Sequence, residues 1–309
     1  MITVRHLSKF FRSQFYERRK QVLFDISFEV KARRTTGFIG VNGSGKTTTL
    51  KCILGFIFPD AGEVTFFAGE PLNKKIRSKL GYLPERPYLY EHLTALEFLR
   101  FHWNIAGGRG DFQAAAMQAL GRVNLQGIED QTLRQFSKGM MQRIGLAQAL
   151  LLSPEILILD EPTSGLDPDG RFMMKEIIRQ ERARGTTIFF SSHFLNDVQE
   201  LADDLVVIEK GKVLYTGPTM NLIAQNRPRY RLGLRDTRSG DLSEELCEVE
   251  DLSRRLNELH QRGQILTSVA NEHVALEVAF QTLRKGQTNA ATEAMVEAPA
   301  EAPARGEAG

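Results

Sequence analysis

The chain has 309 residues with 40 Lys and Arg against 38 Asp and Glu, a net charge of +2, so it lacks the basic excess of a dedicated nucleic-acid binder and no nucleic-acid partner is expected. Its cysteines, Cys52 and Cys247, stand far apart without spaced histidines, which excludes a disulfide framework and a zinc site and points to a reducing compartment. No stretch approaches the ~20 apolar residues that span a bilayer, and Met1 to Leu7 lacks the apolar block of a secretion signal.

In chain order, Ile2 to Leu7 and Leu23 to Val30 read as strands. Between them Arg12, Arg18, Arg19 and Lys20 form a basic run interrupted by Phe15 and Tyr16, a solvated loop or a surface for anionic lipid or a partner. Thr35 to Ile39 reads as a buried strand. It runs into Gly40-Val-Asn-Gly-Ser-Gly-Lys46-Thr47, and Thr47 to Phe56 carries apolar residues at helical spacing. Glu63 to Phe67 is another strand, followed by the loop Leu80-Gly-Tyr-Leu-Pro-Glu85. From about 86 to 152 the pattern is helical only (Ala95 to Ala106, Phe112 to Val123, Lys138 to Leu151), which predicts an inserted helical subdomain. Strands then return at Ile156 to Asp160, Thr187 to Phe190 and Leu205 to Glu209. This alternation predicts an α/β fold with a largely parallel sheet and an antiparallel β subdomain at the N-terminal side. Past Pro218, the alternating Tyr230 to Leu234 and the amphipathic Leu252 to His260 predict a small α+β appendage over 219–285. Residues 286–309, dominated by Ala, Glu, Pro and Gly, cannot offset their ordering entropy and are expected to be disordered.

The glycine-rich segment carries the chemistry. Gly40, Gly43 and Gly45 let the backbone curl around phosphate oxygens and present N–H donors, while the following helix aims its positive end inward. Lys46 is placed for the β- and γ-phosphates, Thr47 for Mg²⁺ and Thr48 for a further phosphate contact; Asn42 and Ser44 complete the loop. A nucleoside triphosphate is the expected ligand. Ile156-Leu-Ile-Leu-Asp160-Glu161 is an apolar strand ending in two acids, which suits Asp160 to the metal and Glu161 to the attacking water. Ser137 is a natural N-cap for the helix after it, and with Gly139 it offers a second anion site. His193 stands alone after another strand.

Taken in order, the phosphate loop, Phe136-Ser-Lys-Gly-Met140, the acidic strand, Ser164-Gly-Leu-Asp167 and His193 strongly resemble the nucleotide-binding subunit of ATP-binding cassette (ABC) transporters over Met1 to about Pro218. In that family's terms they match Walker A, the signature, Walker B, the D-loop and the switch histidine. Val274 to Phe280 looks like the C-terminal segment of subunits serving ABC-2-type exporters. The resemblance implies a P-loop NTPase (RecA-like) core over 1–218 that hydrolyses ATP with Mg²⁺. Lys46, Thr47 and Asp160 would manage phosphate and metal, Glu161 would be general base and His193 would sense the γ-phosphate. It also implies a head-to-tail dimer, in which Ser137 and Gly139 of one subunit close over ATP held by the other, and it counts Asp167 of the D-loop among the nucleotide-binding residues. A separate polytopic permease at the cytoplasmic face of the membrane, docked around Glu85, would complete the transporter.

Departures from the pattern are the Ser-Lys-Gly-Met signature, Glu85 where a glutamine is usual, and Phe11 (or Phe10) as the ring for adenine, followed by an insertion through Lys20. Glu85 can ligate Mg²⁺ but cannot donate an amide hydrogen bond. Competing functions are a soluble cassette ATPase working on ribosomes or nucleic acid, and a regulatory clamp using hydrolysis as a timer. The single phosphate loop and the lack of long heptads weigh against the first.

Overall fold

The computed structural model describes residues 1–12, 19–225, 229–237, 239–262, 264–272 and 276–284. Arg18, Phe15, Tyr16 and the expected disordered tail lie outside them. By contacts the chain divides into two compact units that meet between Leu222 and Ile223.

The first unit begins with β1 (Ile2–Phe11) and β2 (Lys20–Val30), paired antiparallel from Ile2 opposite Val30 to Phe11 opposite Lys20. Next come β3 (Thr35–Ile39), α1 (Lys46–Ile53), β4 (Ala61–Phe66), β5 (Glu70–Pro71), α2 (Lys74–Arg77) and β6 (Leu80–Leu83). β1, β2, β4 and β5 make a four-stranded antiparallel sheet in the order β2-β1-β4-β5. β6 corrects the expected loop at Leu80 to Glu85. Four residues stopped by Pro84 are too short to show a period, yet they pair in parallel with Ile156 to Leu159.

Helices α3 (Ala95–Ala106), α4 (Phe112–Arg122) and α5 (Lys138–Leu150) fill the following stretch. Their starts are encoded locally. Thr94 and Glu97 form a reciprocal capping box on α3, Asp111 accepts from Gln113 and Ala114 N–H on α4, and Ser137 accepts from Met140 N–H on α5. Each such cap is worth about 1 kcal/mol.

The main sheet is completed by β7 (Ile156–Asp160), β8 (Thr187–Ser192), β9 (Asp204–Glu209) and β10 (Lys212–Pro218), interleaved with α6 (Pro168–Ala183) and α7 (Leu195–Leu201), with α8 (Thr219–Gln225) after β10. Its six strands run β10-β9-β3-β8-β7-β6, parallel except for β10. β3, β7, β8 and β9 are buried along their whole length, as strands covered on both faces must be, and so they read as nearly continuous apolar runs. Phe28 of the antiparallel sheet meets Phe38 and Phe189 of the parallel one, with ring centroids 5.7 and 5.8 Å away. This aromatic contact joins the two sheets. Burial of each ring contributes roughly 1.5–3 kcal/mol.

The second unit contains an antiparallel sheet of β11 (Arg229–Asp236), β12 (Leu242–Glu248) and β13 (Gln264–Glu272) in the order β12-β11-β13, with α9 (Leu252–Gln261) between β12 and β13 and a further helix at 276–284. Leu232, Leu234, Cys247 and Leu259 form its small core. β12 and β13 escape sequence reading because their charged and polar residues blur the alternation.

Candidate functional site

The C-terminal ends of β3, β7 and β8 place the predicted phosphate loop, acidic pair and histidine together. Between β3 and α1 the backbone turns through left-handed Gly43 (φ 79°) and Gly45 (φ 111°), conformations that disfavour any side chain. Gly40 is needed for space. A Cβ there would lie 2.3 Å from the Ile208 carbonyl oxygen and 2.5 Å from Ser44 Oγ. The Lys46 ammonium is buried and donates to the carbonyls of Gly40 (2.7 Å) and Val41 (3.4 Å), with Glu161 Oε1 3.5 Å away. Ser44 Oγ is buried without a hydrogen-bond partner inside this cradle. A buried orphan hydroxyl is costly, and a bound anion would satisfy it.

At the tip of β7, Ser191 Oγ donates to Asp160 Oδ1 (2.6 Å) and accepts from Glu161 N–H (2.9 Å). One hydroxyl thereby aligns both acids. The sequence reading gave Ser191 no role, although a polar residue ending a fully buried strand must find partners. Glu161 holds a left-handed φ of 50°, the kind of local strain that persists where surrounding structure fixes it. Its Oε2 lies 2.8 Å from His193 Nδ1 and also accepts from the His193 backbone N–H at 3.3 Å. Lys46, Glu161 and His193 thus form one connected group.

Around them opens a cleft of about 340 Å³. Asn42, Gly43, Gly45, Lys46, Thr47 and Thr48 line it from the loop, Glu85, Glu161, Ser164 and His193 face them, and Val22 supplies an apolar wall. Phe11 is not among the lining residues. Its ring, 41 % exposed, stands at the end of β1 with the Lys9 ammonium 5.5 Å from its centroid. Val22 is a lining residue that no motif announced.

Mg²⁺ fits the charge balance of this cleft. Burial raises the Asp160 carboxyl above its ordinary range, and the charges of Glu161 and Glu85 push the same way, while Ser191 and Lys46 oppose them. A second cation would relieve these acids. Among the described residues no group of three or more His, Cys, Asp or Glu is suited to hold a metal by itself. Thr47, Asp160 and Glu85 would therefore share the ion with phosphate oxygens, as is usual for Mg²⁺.

The remaining predicted residues gather elsewhere. Ser137, Lys138, Gly139 and Arg143 of α5 face Gly165, Asp167 and Asp169 across a second cleft of about 390 Å³. Asp167 caps α6, accepting from Gly170 N–H at 3.0 Å. Gly165 is left-handed (φ 65°), and a Cβ on it would meet Lys138 Nζ at 2.1 Å. Ser164 lines the first cleft and Gly165 the second, so one short loop serves both.

Comparison with known proteins agrees with this geometry. Residues 23–164 match the family model described as ABC transporter. The chain is 38% identical to the bacitracin transport ATP-binding protein BcrA of Bacillus licheniformis over 245 residues, covering 78% of each chain. It is 38% identical to the Nod factor export ATP-binding protein I of Burkholderia lata over 208 residues, 66% of this chain and 68% of that one. A solved ATP-binding subunit of an ABC transporter superposes with a TM-score of 0.63 at 31% identity, covering 73% of this chain and 92% of its own. The fold, the phosphate cradle and these relatives agree, and the chain belongs to the ATP-binding subunits of ABC transporters, a family of ATPases.

Proposed function

We propose that this ATPase energises export through a separate multi-spanning permease, working at the cytoplasmic face of the membrane. The observation that carries the reading is the connected Lys46–Glu161–His193 group at the mouth of the phosphate loop. Glu161 takes a proton from the attacking water, and His193, held through Nδ1 and its backbone N–H, fixes the direction of that carboxylate. Lys46 exchanges its carbonyl contacts for phosphate oxygens. The loop N–H groups, Ser44 and Thr48 surround the remaining charge, so catalysis proceeds by positioning and charge stabilisation. Thr47 and Asp160, with Glu85 nearby, would hold Mg²⁺, which would supply neutralisation of the phosphate charge. Phe11 offers an exposed ring for adenine.

The second cleft supports a head-to-tail dimer. Polar groups of α5 and α6 face each other across it, and Ser137 and Gly139 would close there over ATP carried by a partner subunit. Among the described residues no helix is long and apolar enough to cross a membrane, which is compatible with a membrane pathway supplied by a separate permease. The naming of one relative for Nod factor export supports the export direction. The test is to solubilise native membranes with ATP and Mg²⁺ and purify the Glu161→Gln variant. Recovery of one stoichiometric multi-spanning protein is expected; recovery of ribosomes, nucleic-acid factors or the subunit alone would overturn the transporter reading.

A further inference from the structure

Glu181, near the end of α6, is completely buried, and the phosphate chemistry makes no use of it. Its carboxylate receives the Arg122 guanidinium through two bonds, from Nε to Oε1 at 2.9 Å and from Nη2 to Oε2, and Arg184 Nη1 adds a third contact to Oε1 at 2.5 Å. Arg122 is the last residue of α4, so the pair crosses from the helical stretch to the core helix α6. A bidentate guanidinium–carboxylate contact fixes orientation as well as distance, which a single ammonium contact cannot do.

The chain just beyond Arg122 is held from the other side by α5. Arg143 Nη1 donates to the carbonyls of Asn124 (2.9 Å) and Val123 (3.3 Å), and its Nε reaches the Gly139 carbonyl (3.4 Å). Hydrogen bonds therefore run from Gly139, at the start of α5, through Arg143 to the end of α4, and from there through Arg122 to Glu181. The second cleft lies between the start of α5 and the start of α6. Its two walls are thus connected at the opposite end of α6. Asp167 and Glu181 bracket a rigid helical lever of about 20 Å at 1.5 Å per residue.

We propose that the Arg122–Glu181 pair is the pivot that sets the opening of the second cleft, which makes both side chains positioning residues for ATP-driven subunit association. The association part rests on the head-to-tail reading above; the pivot itself does not. With the pair intact, α5 presents Ser137 and Gly139 at one distance from α6. When the pair is cut, α4 and α5 turn against α6 and the cleft samples a range of widths, while the phosphate cradle, built from β3 and α1, is untouched.

Two measurements test this. Cysteines replacing the exposed Gln135 and Asp169 carry spin labels on either side of the cleft; native Cys52 and Cys247 are buried, and burial raises both thiols, Cys52 to about 11, so they label slowly. The distance distribution in the single subunit should be narrow with the native pair, broad or displaced in Arg122→Met, and only partly restored in Arg122→Lys, whose ammonium keeps the charge contact without the bidentate orientation. An unchanged distribution in Arg122→Met overturns the pivot. In the Glu161→Gln background, Arg122→Met should keep ATP affinity within twofold yet need at least tenfold more protein to dimerise with ATP. Equal loss of ATP binding and dimerisation would mean general damage to the fold and would overturn the proposal. If Glu161→Gln alone does not dimerise, the head-to-tail reading fails, and the label distances still decide the pivot.

Discussion

The two clefts of the first unit are built on opposite principles. The phosphate cleft is built on buried groups already committed to neighbours: Lys46 on carbonyls and Glu161, Ser191 on both acids, and Glu161 on the exposed His193. The second cleft is made of exposed groups, with Ser137, Lys138, Asp167 and Asp169 all facing solvent. A preorganised site costs little to reorganise at the moment of reaction. In the second cleft Ser137 and Asp167 cap their own helices, and the cleft gains its chemistry from whatever meets it, as expected of a surface that completes another subunit's site.

This contrast predicts a graded set of outcomes. The largest effect belongs to the preorganised side: Glu161→Gln or Lys46→Ala should reduce steady-state ATP hydrolysis about 10²–10³-fold, measured by phosphate release, with Glu161→Gln still binding ATP. Retention of more than a tenth of the rate in Glu161→Gln would remove the general base from the mechanism. Next, Ser137→Arg should abolish most hydrolysis while leaving ATP binding to the single subunit intact. Mixing it with Glu161→Gln should recover about a quarter of the normal rate, because half of the dimers are then mixed and each retains one complete composite site of two. No recovery would show that the clefts do not complete each other.

A smaller effect concerns stability. Burial and neighbouring acids raise the Asp160 carboxyl in the free protein, so its ionised form opposes folding. The sign follows from linkage: below the ordinary carboxylate pKa the residue is neutral in both states, and stability falls as pH rises from there through the raised folded value. Asp160→Asn should therefore raise the melting temperature of the nucleotide-free protein by a few degrees at pH 7, the advantage vanishing in strong acid. An equal gain at all pH values would assign it to packing. The smallest effect is at the rim. Phe11→Ala should raise the KM for ATP about two- to tenfold, the 0.5–1.5 kcal/mol of one stacking contact, with kcat unchanged; no change would leave the wall at Val22 as the base contact.

Most of the first unit was legible because its strands and loops are local signals. Fully buried parallel strands read as apolar runs, and the caps at Thr94, Asp111 and Ser137 announce their helices. β6 was hidden by its shortness, and the strands of the second unit by their charge. In the site, the phosphate loop, Glu161 and His193 line one cleft and Ser137, Gly139 and Asp167 another. Ser191, Val22 and the Arg122–Glu181 pair were not legible, because their meaning lies in contacts between segments distant in sequence. Arg122 and Glu181 look like ordinary surface residues of amphipathic helices until the fold buries them against each other.

The position of β3 in the middle of its sheet bears on how this protein is made. Thr35 pairs with Ile188 on one side and Thr36 with Asp204 on the other, so the strand that carries the phosphate loop leaves the ribosome on the order of ten seconds before either neighbour exists. Until then its unpaired edges are exposed, and pairing across such a separation is intrinsically slow. Capped helices α3 to α5 emerge in that interval and can form from local contacts alone. A nascent chain is therefore expected to bind nucleotide productively only after β9 has been synthesised, which makes late truncations of this region prone to aggregation rather than partially active.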